Sequence, residues 1–377
     1  MNKFDICFIN LSFKPGGGNR VILELSESLE RKNFNCRLIS LINKNDRGFS
    51  KISDIKDESI FCFFKSDSRL ALIFNLFLTL FHLFTHRNNY RVIIINNPLI
   101  APVFGMLHFS NIYYYIQADD YRIFDDRFLI KSNLLLRFYK FITRSITYNV
   151  YQGRYLFNSQ FSFEKFRQIS RQNICSPFLV LPGVDLSVFT PTSQKYSRLG
   201  GHNSQPIVIS TILRKHPWKG SLDFLRAVEI ISKTNKLDSY KFVAITNEDI
   251  SNFSIPKQIE ILRPKDDKEL SAYLNQSDIF VVTSWWEGFG LPGLEAMACG
   301  CAVITTRNGG CNDYAVDKLN CIMYEPKDVE QLTKLILDLS HNEHLRKEIS
   351  KSGIKTSQDH SWDDSASALV SLCNVKE

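Results

Sequence analysis

Short apolar runs alternate along the chain with stretches whose apolar residues recur at helical spacing. The runs are rich in Val, Ile, Phe and Tyr, which is typical of buried strands. Alternation of such strands with helices predicts parallel sheets with helices on both faces, an α/β fold. The predicted strands cover residues 4–11, 91–96, 111–117, 207–212, 240–246, 278–282 and 302–305.

The chain length indicates two domains, because 377 residues exceed what one hydrophobic core usually supports. Residues 192–206 lose apolar side chains and gain Gly, Ser and Pro, a composition typical of a linker. We therefore expect an N-terminal domain over 1–190, a linker over 191–206, a C-terminal domain over 207–360 and a terminal segment over 361–377.

The most hydrophobic stretch covers residues 70–84. Its polar neighbours Asn75, Thr79, His82 and His86 fall on one narrow helical stripe. A membrane-spanning helix needs about 20 apolar residues without such a stripe, so we expect a buried helix packed on the sheet, with the histidines on its polar face. A helix dipping into a membrane surface is the alternative.

Residues 131–144 predict an amphipathic basic helix, on which Arg137, Lys140 and Arg144 share one face. Such a face is usually solvated. Together with the apolar stretch it also fits contact with an anionic membrane surface.

The net charge of +7 fits an anionic ligand or an anionic bilayer and is too small to indicate nucleic acid. The nine cysteines show neither a CxxC pair nor zinc spacing with histidine, which predicts a reducing cytosolic location, no metal and no disulfides. No cleavable apolar leader is evident at the start, so we expect no signal peptide.

Candidate chemistry is concentrated in residues 283–300, TSWWEGFGLPGLEAMACG. A strand, a glycine turn and a helix start aim backbone N–H groups and a positive dipole end at an anion. Glu287 precedes the turn and Glu295 is expected in the first helical turn. Because carboxylates repel phosphate, these glutamates are expected to accept hydrogen bonds from hydroxyls, which suits a sugar nucleotide.

Two further segments fit phosphate binding. A triple-glycine loop that includes Gly17 and Gly18 follows the first strand, where backbone can approach a phosphate. Arg214 and Lys219 bracket a loop that opens a helix, and a guanidinium fork with an ammonium can neutralise a diphosphate leaving group. Neither a Walker loop nor a GxGxxG fingerprint is present.

A further group of polar residues ends the tyrosine-rich third strand of the first half. Gln117, Asp119 and Asp120 lie where open α/β sheets place ligands, and they could contact an acceptor or a donor sugar. Capping of a helix is the alternative for the two aspartates.

The wording EGFGLPGLEAMACGCAVI, with its Glu-x7-Glu spacing, resembles the signature of retaining family 4 glycosyltransferases. That resemblance implies the GT-B fold, in which two Rossmann-like doubly wound domains face each other across a cleft and the last helix returns to the first domain. The tyrosine-rich strand ending in Gln117 is similar to a subgroup that includes bacterial rhamnosyltransferases.

The resemblance also implies roles for individual residues. Arg214, Lys219 and Glu287 would be catalytic, with a nucleoside diphosphate sugar as donor and no metal or other cofactor. The remaining donor-binding residues would be Gly17, Gly18, Arg263, Phe289, Gly290, Leu291 and Glu295.

The expected function is transfer of a hexose or deoxyhexose, with rhamnose as the first choice, to a surface glycan carried on a polyisoprenoid lipid. The enzyme would be cytoplasmic, with a peripheral position on the inner face of the plasma membrane as an option. The alternatives are a GT-B-like sugar-nucleotide epimerase or phosphorylase, and an inactive homologue that serves as an assembly partner.

Overall fold

A computed structural model describes residues 4–13, 16–42, 60–66, 68–119, 134–142, 146–200, 206–233 and 239–374. The chain divides into two compact units. Unit 1 comprises Met1–Pro182 with Trp362–Glu377, and unit 2 comprises Gly183–Ser361. The boundary therefore lies at Pro182, earlier than the predicted end of the first domain at residue 190.

Unit 1 is built on a parallel sheet of seven strands in the order β3-β2-β1-β4-β5-β6-β7. Phe8 of the central strand pairs with Leu38 of β2 on one side and Ile94 of β4 on the other. The elements are β1 Phe4–Asn10, α1 Gly17–Arg31, β2 Cys36–Ser40, β3 Ile60–Phe61, α2 Arg69–His86, β4 Tyr90–Ile95, α3 Ala101–Gly105, β5 Ile112–Ile116, α4 Leu134–Ile142, α5 Tyr148–Val150, β6 Tyr155–Phe157, α6 Gln160–Arg167, β7 Phe178–Leu179 and, at the chain end, α13 Trp362–Asn374.

Unit 2 is built on a parallel sheet of six strands in the order β10-β9-β8-β11-β12-β13. Its elements are α7 Ser193–Gly200, β8 Ile207–Ile212, α8 Ser221–Ile231, β9 Tyr240–Ile245, β10 Ile259–Leu262, α9 Asp267–Gln276, β11 Ile279–Val282, α10 Leu291–Ala298, β12 Ala302–Thr306, β13 Ile322–Tyr324, α11 Val329–His341 and α12 Glu343–Gln358. Two parallel α/β sheets confirm the predicted fold class, since each strand pair within them is parallel.

The last helix, α13, belongs to unit 1 although its sequence follows unit 2. Its Asp363 accepts a hydrogen bond from the Ser28 hydroxyl of α1 at 2.5 Å and pairs with Arg31 at 3.3 Å. The buried Trp362 and Leu369 pack the helix against the unit, so the chain end contributes to the core of unit 1.

The linker prediction was wrong for residues 193–200, which form α7 within unit 2. Lys195 is buried and its Nζ donates to the carbonyl of Ser277. Just before the helix, the Thr192 N–H donates to Asn275 Oδ1 at 2.8 Å. This polar segment can therefore form a helix, because the buried Asn275 side chain of α9 and the Ser277 carbonyl at the C-terminal end of α9 accept its hydrogen bonds.

Helix α2 buries its polar stripe and exposes apolar side chains. Asn75 and Thr79 are fully buried, and the Asn75 amide donates to the carbonyls of Leu41 and Phe64 at 2.9 and 3.0 Å. His82 Nε2 lies 2.8 Å from the Tyr90 hydroxyl. The polar stripe thus faces the domain while the apolar side of α2 is exposed, so the expectation of a buried helix was wrong.

We expect Asn75→Leu to lower the free energy of unfolding by about 2–4 kcal/mol, although it makes α2 more apolar, because backbone groups of Leu41 and Phe64 lose their buried partner. Phe77→Ser removes a side chain that is 66% exposed and should change the stability little. Urea unfolding of both variants measures this. A destabilised Phe77→Ser beside a stable Asn75→Leu would show that the helix has the other orientation.

Candidate functional site

The order of strands in unit 2 reverses between β8 and β11. From β8 the chain continues outward through β9 and β10, and from β11 it continues the other way through β12 and β13. Ligands of open α/β sheets bind beyond the carboxyl ends of the strands at such a point. Two loops leave these ends, residues 213–220 and residues 283–290.

The two loops are joined through their backbones. The Thr283 hydroxyl donates to the Lys219 carbonyl at 2.8 Å, and the Trp285 N–H donates to the Trp218 carbonyl at 2.7 Å. Gly220 has φ +63°, and a Cβ built there would lie 2.0 Å from the Thr283 carbonyl oxygen. Only glycine allows this approach, so Gly220 determines how close the loops come.

Lys219 and Glu287, both predicted as catalytic, form an ion pair across these loops. Lys219 Nζ lies 2.7 Å from Glu287 Oε1 and 2.8 Å from Oε2, and both side chains are partly buried. An ammonium has three N–H donors, so binding to both carboxylate oxygens leaves one for another acceptor.

Arg214 lies on the same loop as Lys219 but pairs with a different carboxylate. Its Nε is 3.0 Å from Glu248, whose second oxygen accepts the Lys215 N–H at 2.6 Å. Arg263 donates to the Glu248 carbonyl at 3.1 Å. Glu248 therefore links two predicted site residues. Glu248 is not among the residues predicted for the site, although its position after β9 was a signal for it.

The N-terminus of α10 carries the predicted amide site. The helix begins at Leu291, after Gly290 with φ +90°, and it has no side-chain cap. Its first N–H groups are therefore oriented for an external acceptor. The Tyr314 hydroxyl donates to the Gly290 carbonyl at 2.7 Å, and burial raises the pKa of Tyr314 well above its ordinary value, which keeps this donor protonated.

Two of the predicted donor-binding side chains are buried in unit 2. Glu295 lies in the second turn of α10 and is only 3% exposed, so its assignment to the first turn was wrong. The ring of Phe289 packs against Tyr314 and His360 at centroid distances of 5.3 and 6.2 Å. Packing rather than ligand contact thus accounts for the Phe289 side chain.

The turn at Asn308–Gly310 contacts the backbone of Glu287. The Glu287 N–H donates to the Asn308 carbonyl at 3.2 Å. A Cβ on Gly310 would lie 2.6 Å from the Glu287 carbonyl oxygen, so glycine is needed for this contact. The backbone that carries Glu287 is therefore held on two sides, by this turn and by the loop of Lys219.

An aromatic stack beside Lys219 was not foreseen from the sequence. His216 stacks on Trp218 at 4.6 Å, and Trp218 stacks on Trp286 at 5.5 Å. Trp285 Nε1 donates to Asp223 at 2.8 Å; burial raises the pKa of Asp223, and this hydrogen bond opposes the rise. The paired tryptophans of the sequence were the available signal.

In unit 1, Gly18 and Gln117 lie together at the carboxyl side of the sheet. A Cβ on Gly18 would be 2.9 Å from Gln117 Oε1, whereas a Cβ on Gly17 would meet nothing within 4 Å. Both polar atoms of the Gln117 side chain are buried without a hydrogen-bond partner in the described part of the chain. Asp119 follows two residues after Gln117, and Asp120 lies outside the described residues.

No three His, Cys, Asp or Glu side chains are grouped for metal binding within the described residues. The structure thus pairs Lys219 with Glu287, four residues before the start of α10, ties Arg214 and Arg263 to Glu248, and places Gly18 beside Gln117 in unit 1.

Residues 193–356 match the family described as "Glycosyl transferases group 1". Unit 2 thus resembles the group 1 glycosyl transferases over these residues. A D-inositol 3-phosphate glycosyltransferase of Corynebacterium jeikeium is 30% identical over 226 residues, 52% of this chain and 51% of that protein. An uncharacterized glycosyltransferase of Methanocaldococcus jannaschii is 35% identical over 117 residues, 30% of this chain and 33% of that protein. The chain thus spans a third to a half of the length of these curated relatives.

Solved glycosyltransferase structures share the fold of the whole chain. Sucrose-phosphate synthase from Thermosynechococcus elongatus aligns with a TM-score of 0.75 and 16% identity, covering 98% of both chains. HepE of Anabaena, in complex with UDP-glucose, aligns with a TM-score of 0.73 and 17% identity over 98% of this chain and 99% of its own. These likenesses confirm the predicted GT-B fold.

We expect Gly220→Ala in unit 2 to be strongly destabilising, because a Cβ 2.0 Å from the Thr283 oxygen must push the two loops apart. Gly153→Ala is the matched control, since Gly153 also has positive φ but its Cβ would meet nothing within 4 Å. The control should cost about 1 kcal/mol of backbone strain and Gly220→Ala clearly more, measured by urea unfolding. Equal losses would show that the close approach of the loops is not needed.

Proposed function

We propose that this chain is a retaining, metal-independent glycosyltransferase that uses a nucleoside diphosphate sugar as donor. One observation carries the proposal. Lys219 is held by both oxygens of Glu287 in the loop that opens α10, at the reversal point of the unit 2 sheet. A fixed cation next to an uncapped helix N-terminus is a site for a diphosphate.

The solved neighbours support a nucleotide-sugar donor. HepE of Anabaena was solved in complex with UDP, with UDP and glucose, and with UDP-glucose. HepE shares only the fold with this chain, so its UDP and glucose do not identify the base or the sugar used here.

Most groups of the site are suited to stabilising the departure of the nucleoside diphosphate. The bond between the sugar C1 and the β-phosphate oxygen breaks, and negative charge collects on the phosphate. The remaining N–H of Lys219, the terminal nitrogens of Arg214 and the N–H groups of Gly290 and Leu291 can stabilise that charge. We therefore propose that these cations and amides stabilise the leaving phosphate without a metal ion.

The anomeric configuration is retained if the acceptor attacks C1 on the same face from which the leaving group departs. The acceptor oxygen forms the new bond to C1, and its proton passes to an oxygen of the leaving phosphate. Glu287 then has two tasks, holding Lys219 and accepting hydrogen bonds from donor-sugar hydroxyls. Glu295, buried in the second turn of α10, is proposed to bind the ribose, and Arg263 to lie near the base.

For the remaining partners we propose rhamnose, or another deoxyhexose or a hexose, as the sugar and a polyisoprenoid-linked surface glycan as the acceptor, with the enzyme on the cytoplasmic side of the membrane. The related fold of WaaG, described as a glycosyltransferase involved in lipopolysaccharide biosynthesis, supports a surface glycan. Gln117 and Asp119 in unit 1 are candidates to contact the acceptor.

We expect Lys219→Ala to lower kcat about 100-fold or more, since it removes a cation from the leaving phosphate. Glu295→Gln should instead raise the donor KM about tenfold with a smaller change in kcat. Lys215→Ala is the matched control, because Lys215 is exposed on the same loop and contacts Glu248 through its backbone N–H. Kinetics with the donor identified by a thermal-shift screen of nucleoside diphosphates measures these effects.

Assays in EDTA should retain full activity if no metal takes part. Effects on KM alone from both Lys219→Ala and Glu295→Gln would contradict the assigned roles. Conversion of labelled donor to an epimer without acceptor would identify an epimerase, and failure to bind any nucleoside diphosphate would identify an inactive homologue.

A further inference from the structure

Helix α2 of unit 1 presents an entirely apolar face to the outside. Ser68 caps its N-terminus by accepting from the Ala71 N–H at 3.1 Å, and the opposite side packs on the core through Leu72, Leu76, Leu80 and Leu83. We call the exposed side the phenylalanine face; its members are Leu70, Ile73, Phe74, Phe77, Phe81 and Phe84. At 1.5 Å per residue it is about 21 Å long.

The size of this face is unusual for a surface in contact with water. Its four phenylalanines are 59–69% exposed. At roughly 200 Å² for each side chain, the rings alone present on the order of 500 Å². Phe64, itself half exposed, lies edge-on to Phe74 at 5.7 Å and extends the face. A continuous apolar patch of this size marks an interaction surface.

The sequence that forms and follows this face is basic, although Asp67 directly precedes its N-terminal cap, Ser68. The sequence has no Asp or Glu between Ser68 and Ala118, whereas Arg69 and Arg87 stand at the two ends of α2. Arg87 lies over the ring of Phe109 at 4.8 Å, and that ring is 6.5 Å from Phe84. An exposed arginine therefore lies beside the C-terminal end of the phenylalanine face.

A second helix of unit 1 repeats this combination. Leu134, Phe138 and Phe141 of α4 are exposed by 60% or more, and Arg137 is exposed on the same turns. No acidic residue occurs between Arg127 and Phe163. The sequence predicted a basic helix here, and the structure shows that Leu134, Phe138 and Phe141 of this helix are also turned outward.

The helix is long and apolar enough to cross a membrane by length and composition, over Leu70–Asn89. Its inner side, however, is bound into the domain by Asn75, which bonds to two backbone carbonyls, and by His82, which meets Tyr90. Crossing would break these contacts and remove the helix between β3 and β4. The face is therefore suited to lying on a bilayer rather than spanning it.

We propose that the phenylalanine face of α2, together with the outer side of α4, inserts into the surface of a bilayer that contains anionic lipids. A second copy of this chain, which carries a net charge of +7, is the less suitable occupant, because it offers Arg87 and Arg137 less negative charge than a layer of anionic headgroups does. Anionic headgroups complement the arginines, and the phenylalanines enter the boundary of the acyl chains. This proposal goes beyond sugar transfer and rests on unit 1 alone.

The experiment is co-sedimentation of the full chain with vesicles of phosphatidylcholine containing about 30 mol% phosphatidylglycerol, compared with pure phosphatidylcholine. We expect the wild type to bind the anionic vesicles, and Phe77→Ser/Phe81→Ser to reduce the partition coefficient about tenfold or more. Phe77→Leu/Phe81→Leu keeps the face apolar and should keep most of the binding. Arg137→Gln/Lys140→Gln should reduce the preference for anionic vesicles.

Leu222→Ser/Ile230→Ser is the matched control, because it removes two exposed apolar side chains, 47% and 42% exposed, from α8 of unit 2. It should leave vesicle binding unchanged. Thermal stabilisation by nucleoside diphosphates, measured on Phe77→Ser/Phe81→Ser, shows whether the donor site is intact. Failure of vesicle binding is thereby separated from failure of the proposed function.

The proposal is overturned if the wild type binds neither kind of vesicle, or if the Phe77→Ser/Phe81→Ser variant binds as well as the wild type. Sedimentation velocity tests the other occupant. A wild-type dimer that dissociates in that variant, without vesicle binding, would assign the face to a second copy.

Discussion

The candidate site depends on the contact between two backbone segments at the carboxyl ends of β8 and β11. Gly220 lets the loop after β8 approach the Thr283 carbonyl more closely than any side chain would permit. Hydrogen bonds from Thr283 and Trp285 then fix the two loops together. The Lys219–Glu287 ion pair exists at 2.7 Å because this contact brings the residues within reach. Without it, the lysine and the uncapped helix would be separate features of two loops.

The two glutamates of the signature differ in their surroundings, although they stand in one motif. Glu287 lies in a loop, is partly exposed and has a cation on both oxygens. Glu295 is buried in a helix, one turn beyond the residues whose amides face outward. The difference comes from the turn at Gly290, where positive φ ends the loop and starts the helix. The turn at Gly290 therefore separates Glu287, which positions Lys219, from Glu295, which can contact a ligand only from the buried side of the site.

Much of the architecture could be predicted from the sequence, because buried parallel strands are continuous apolar runs bounded by turn residues. The strand predicted at residues 207–212 has those bounds, and most others differ by one or two residues. The errors arose where tertiary partners outweighed local pattern. Residues 193–200 were predicted as linker, yet Lys195 finds a buried carbonyl. Residues 70–84 were predicted as a buried helix, yet its apolar side is exposed and the stripe through Asn75 takes the inner side, where it satisfies backbone groups of two other segments. Glu248 and the tryptophan stack were missed because their partners are distant in sequence.

The central claim is that Lys219, held by Glu287, binds a diphosphate at the start of α10. Isothermal titration calorimetry tests it most directly by comparing a nucleoside diphosphate with the corresponding nucleoside, in wild type, Lys219→Ala and Lys215→Ala. A charge-assisted contact contributes roughly 1.5–3 kcal/mol, so the diphosphate affinity of Lys219→Ala should fall about 10- to 100-fold. Its nucleoside affinity, and both affinities of Lys215→Ala, should remain near the wild-type values. An unchanged diphosphate affinity in Lys219→Ala would contradict the account.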